Sequence, residues 1–109
     1  MAKRVKRNKD GSVNSLKYLE GKLGPLTFAM MIRAIREGEE ISLEQFARKL
    51  GVSRSHLCDI EKGRKGISPE RAARWAQLLG YSPTQFVRLA IQADLDAAGL
   101  KYRVDIEAA

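Results

Sequence analysis

Between Ser42 and Gly99 the chain is cut into short pieces by alternating helix starts and stops, and this punctuation restricts the fold more than any other feature. Ser42, Ser53, Ser68-Pro69 and Ser82-Pro83 are starts: a serine hydroxyl accepts an N–H that the first turn leaves without a partner, and proline fits the first helical position. Gly51, Gly63, Gly80 and Gly99 are stops, because a left-handed residue ends a helix. Within the pieces the apolar residues recur at helical spacing. Leu43, Phe46, Ala47 and Leu50 form one stripe, Leu57 and Ile60 a second, and Ala72, Trp75, Ala76 and Leu79 a third. Phe86, Leu89, Ala90, Ala93 and Ala97 form a fourth on a helix reaching about Ala98. Upstream, Thr27 caps a helix through about Glu37 with Phe28, Met31, Ile32 and Ile35 inward and Gly38 as its stop. Five helices over residues 26–98 predict an all-α domain, with Trp75 in its core. Leu16, Leu19 and Leu23 predict a further short helix that Gly24-Pro25 ends.

Two features do not fit a self-contained bundle. The last helix carries a second apolar stripe, Val87, Ile91 and Leu95, and a monomer covers only one side of a terminal helix, so burial against another chain is expected. After Gly99 the period changes from 3.6 to 2: Leu100, Tyr102, Val104 and Ile106 alternate with Lys101, Arg103, Asp105 and Glu107. This predicts a short C-terminal β-strand over 99–109, which needs a partner for its backbone. The partner is a second copy, another protein, or the weak Lys3–Arg7 segment. Antiparallel self-pairing about Val104 sets Lys101 opposite Glu107 and Arg103 opposite Asp105. The alternative is a tail without regular structure.

Charge points to a polyanion. The net charge of +7 is concentrated: residues 1–25 hold seven cations and two anions, residues 48–74 eight cations and three anions. Basic excess confined to segments marks an oriented footprint for nucleic acid. The first nine residues carry five cations without apolar periodicity, predicting a flexible basic arm. Its Lys3, Arg4, Lys6 and Arg7 suit the minor groove. No apolar run approaches the ~20 residues of a bilayer span, and none follows the basic start as a secretory signal requires. Together with a single cysteine, Cys58, this fits a reducing cytoplasm and no membrane partner. One histidine and one cysteine allow neither a catalytic triad nor a zinc set, so no enzyme activity, cofactor or metal is expected.

The segment LEQFARKLGVSRSHLCDIEKG, Leu43–Gly63, reads as two helices joined by a tight Gly-Val-Ser turn. Ala47 is small where the helices cross, while Val52, Leu57 and Ile60 clamp them from inside. The second helix then projects outward, suited to a major groove about 12 Å wide. Arg54, Ser55 and Asp59 are the base-contact candidates: arginine pairs with guanine O6 and N7, serine reaches a base or phosphate, and a carboxylate accepts from cytosine N4. Asp59 is equally suited to a solvated or ion-paired role. Ser53, Arg64 and Lys65 are phosphate candidates. His56 either touches the DNA backbone or packs beside the turn.

The pattern SxxxFAxxLGVSxSxLxxxExG resembles the Cro and phage-repressor (XRE) family of helix-turn-helix regulators over about residues 27–80. That resemblance implies a five-helix lambda-repressor-like domain and a repressor bound to a double-stranded operator as a homodimer. It also implies a structural pair of Arg36 with Glu61. The flanking LGPLTF and GLKYRV are similar to HigA-like antitoxin-type regulators, which implies a cognate toxin partner and autoregulation of a toxin-antitoxin operon. A free-standing phage- or mobile-element-type repressor, or a module that mainly neutralises a toxin, are the alternatives.

Overall fold

Thr27, Ser42, Ser53 and Ser68 stand in extended backbone and accept, through the side-chain oxygen, the N–H three residues on at 3.0–3.1 Å. These caps open the first four helices of a computed structural model that describes residues 26–109. The helices are α1 (Phe28–Gly38), α2 (Leu43–Leu50), α3 (Arg54–Glu61), α4 (Pro69–Leu79) and α5 (Pro83–Ala97). The predicted basic arm and the short helix expected from Asn14 to Leu23 lie outside the described residues.

Two boundaries differ from the sequence reading. Ser82 makes no side-chain cap, because its ψ of 124° turns away from the 153–162° shared by the other four caps, and the start of α5 rests on Pro83. Gly38 does not stop α1 but is its last residue. The left-handed position belongs to Glu40 at φ 56°, where Glu40 N–H donates to Glu37 O and Ile41 N–H to Arg36 O.

The stripes converge on one core. Ile32, Phe46, Leu57, Ala72 and Ala76 are fully buried, and Trp75 joins them. Phe28 of α1 ties α4 to α5: its ring lies 6.3 Å from that of Trp75 and meets Phe86 edge to face at 5.9 Å, a favoured aromatic geometry. Tyr81 stacks on Phe86 from the α4–α5 turn. Helices α4 and α5 pack most broadly, α2 pairs with α3, and α1 leans on both α3 and α5. Helix α3 is thereby held from behind by α1 and α2.

The predicted C-terminal β-strand is absent: the described residues contain no strand, and the segment after Gly99 is irregular. A strand exists only through a ladder, and the described residues offer no second strand to build one. The alternation survives in another form, since Val104 and Ile106 are half-buried between exposed neighbours. A side chain supplies the backbone partners. Gln92 of α5 donates from Nε2 to Tyr102 O at 2.7 Å and accepts at Oε1 from Val104 N–H at 2.9 Å, acting as one peptide group of a neighbouring strand. The stripe Val87, Ile91 and Leu95 is half-buried, and the most exposed large apolar residues lie elsewhere, at Met30, Leu78, Leu100 and Tyr102. No helix among the described residues is long and apolar enough to cross a membrane.

Candidate functional site

The outward surface of α3 is created by what holds its inward side. Gly51 turns the chain at φ 75°, a conformation that costs L-residues about 1–2 kcal/mol, so α3 can begin at Arg54, three residues after the Gly51 cap of α2. Val52 N–H donates to Ala47 O at 3.0 Å, closing the turn, and Ala47 is buried where the two helices meet. Leu57 and Ile60 enter the core. With those two inward, Ser53, Arg54 and Ser55 are left exposed on the first turn of α3. The Arg54 guanidinium makes no hydrogen bond or ion pair with any described residue, so its fork of donors faces solvent unspent.

The far end of α3 is fixed by a two-pronged ion pair. Arg36 Nε donates to Glu61 Oε2 at 2.8 Å and Arg36 Nη2 to Glu61 Oε1 at 3.0 Å, while Nη1 reaches Ile41 O at 3.4 Å. Glu61 is 6 % exposed and Arg36 19 %, so the pair is shielded from solvent. The hydrogen bond to Glu61 raises the Arg36 pKa further, against the opposing effect of burial. This pair pins α3 to α1 and to the loop before α2, which sets the angle at which α3 leaves the body.

Beyond α3, Asp59 organises the loop. Its Oδ1 accepts from Arg64 Nε at 3.0 Å, Lys65 Nζ stands 3.7 Å from Oδ2, and its backbone carbonyl accepts from Arg64 N–H at 2.8 Å. The Arg64 hydrogen bond holds the Asp59 carboxyl below the usual aspartate range, with burial opposing and the charges of Arg64, Lys65 and His56 assisting. Arg64 and Lys65 therefore stay exposed but gathered beside α3. Asp59, named from sequence as a base contact, has its carboxylate committed to the two phosphate candidates in the unbound protein. His56 is half-buried on the side of α3 facing α4, its Nε2 3.5 Å from Arg71 Nη1.

The structure thus leaves Ser53, Arg54 and Ser55 exposed at the start of α3 and joins Asp59 of that helix to Arg64 and Lys65 of the loop, with His56 beside Arg71 of α4. Val87, Ile91, Leu95, Tyr102, Val104 and Ile106 belong to α5 and the tail, not to α3 or its loop. Sequence reading passed over Arg71 and Gln92. Arg71 and Arg74 one turn later were visible as an i, i+3 cation pair after the Ser68-Pro69 start, whereas the hold of Gln92 on the tail has no local signature. Among the described residues no group of His, Cys, Asp or Glu could hold a metal ion.

A helix-turn-helix family model (HTH_3) matches residues 32–86, just over half of the chain, from within α1 to Phe86 of α5. No curated protein and no solved structure matches the chain.

Proposed function

Because the chain belongs to the helix-turn-helix family, and so carries a non-catalytic DNA-binding regulatory domain, we propose that it is a sequence-specific repressor that grips its operator as a homodimer. The observation that carries the reading is the first turn of α3, where Arg54 and Ser55 are exposed, unpartnered and rigidly backed. Arg54 reads guanine through two parallel hydrogen bonds, and Ser55 reaches a neighbouring base or phosphate. Ser53, Arg64 and Lys65 fix register on the phosphates. The half-buried stripe Val87, Ile91 and Leu95, with Tyr102, Val104 and Ile106 of the tail, supplies the dimer or partner contact. Lys3, Arg4, Lys6 and Arg7 add minor-groove contacts.

The finer assignment, an antitoxin that represses its own toxin-antitoxin operon, is supported by the similarity of LGPLTF and GLKYRV to HigA-like regulators. Its test is co-purification with the product of the adjacent reading frame. The repressor reading is tested by footprinting the DNA upstream of this gene. A dimer protects two related half-sites about one helical turn apart. Absence of any protected site at low salt overturns the repressor, and a single isolated half-site overturns the dimer.

A further inference from the structure

Beside the first turn of α3 an open groove of about 460 Å³ runs between α3 and the start of α4, lined by His56, Gly66, Ile67, Ser68, Glu70, Arg71 and Arg74. We propose that this groove is a second phosphate-binding site, in which Arg71 and Arg74, with the His56 ring beside them, grip the DNA backbone next to the base-reading turn. The inference rests on the DNA-binding reading and adds to it two residues that neither the motif nor its spacing singled out.

Three observations carry it. The first is charge left unpaired. Arg33, Arg36, Arg48 and Arg64 each have a carboxylate within 4.0 Å, whereas Arg71 and Arg74 have none among the described residues. The side-chain neighbour of Arg71 is the His56 imidazole, which accepts a hydrogen bond only when unprotonated and leaves the guanidinium charge uncompensated. The second is position. His56 follows Ser55 directly, so the groove adjoins the turn that meets the base edges, at the distance of one side chain. The third is continuity: the loop after α3 carries Arg64 and Lys65 and then passes through Gly66 and Ile67, which form the groove wall. The loop cations thus lead directly along the chain into the groove wall, so that one sugar-phosphate strand bordering the major groove would meet both. Glu70 is the one carboxylate in the lining and opposes an anion there.

The test is the salt dependence of binding to a random-sequence 30-base-pair duplex, read by fluorescence anisotropy for the full chain and for R71Q, R74Q, R71K and E70Q. Lys101→Gln removes the same charge from the exposed tail as a control. Each phosphate contact adds about 0.9 to the slope of log K against log salt, equivalent to about eightfold in affinity at 0.1 M salt. R71Q and R74Q are each expected to lose about that much affinity and slope per protomer, while R71K keeps the slope, E70Q binds more tightly, and K101Q matches the parent. A merely structural role for Arg71 lowers thermal stability without changing the slope, and that result overturns the proposal. So does an unchanged affinity in R71Q and R74Q when the parent binds. If the parent itself ignores duplex DNA at low salt, the DNA-binding reading falls and this site with it.

Discussion

Glu61 and Asp59 lie two residues apart on α3, and their carboxylates do different work. Glu61 is nearly enclosed and holds Arg36 by two hydrogen bonds, so Glu61→Gln leaves a shielded guanidinium without its counter-charge. A loss of about 2–3 kcal/mol in urea unfolding is predicted, below the full figure for a buried pair because Arg36 is partly solvated. Asp59 acts on the loop and not on the core. Its lowered pKa means that its contacts with Arg64 and Lys65 are fully present above the ordinary aspartate value of about 4 and are lost only as the pH falls through the still lower folded value. Between pH 5 and 8 the loop is therefore predicted to show no pH-dependent release through Asp59, checked by amide exchange at Arg64 and Lys65. The Arg54 guanidinium makes no hydrogen bond or ion pair with any described residue. Arg54→Ala is predicted to weaken operator binding by about 1–3 kcal/mol while the unfolding curve stays that of the parent, and an unchanged operator affinity removes Arg54 from base recognition.

At the scale of elements, the caps make unequal contributions that the structure ranks. Ser42, Ser53 and Ser68 each bond an N–H of the first turn, and replacing any one by alanine is predicted to cost about 1 kcal/mol in chemical unfolding. Ser82→Ala is predicted to cost much less, since that hydroxyl makes no cap bond. Gly51→Ala adds a Cβ with nothing within 4 Å, so its predicted cost of about 1 kcal/mol is backbone strain alone. The helices were legible because their signals are local: a serine, a glycine and a stripe of apolar residues each act within one or two turns. What failed was non-local. Alternating residues from Leu100 to Ile106 describe a side chain pattern, but a strand needs a second strand, and the chain answers that need with the amide of Gln92, ten to twelve residues away. Gln92→Leu is predicted to release the tail, seen as at least tenfold faster exchange of the Val104 amide with α5 intact. The site divided in the same way. The exposure of Ser53, Arg54 and Ser55 follows from the burial of Leu57 and Ile60, which periodicity reveals, whereas the capture of Asp59 by Arg64 depends on how the loop folds back.

For the whole molecule, unpaired arginines among the described residues lie at the start of α3 (Arg54) and in the first turns of α4 (Arg71, Arg74), with Lys101 and Arg103 unpaired in the tail, while the carboxylates of Glu61 and Asp59 are engaged by Arg36 and by Arg64. Salt sensitivity follows from that division. A homodimer that neutralises on the order of eight phosphates has a predicted slope of log K against log salt near −7. We propose that the exposed first turn of α3 is the surface that meets DNA. The most direct test is an amide-resolved NMR titration of the protein with its operator duplex. The predicted result is that Ser53 to His56 and Gly63 to Gly66 shift most, with Arg71 beside them. Perturbation centred on α5 or the tail, with the first turn of α3 unmoved, contradicts it.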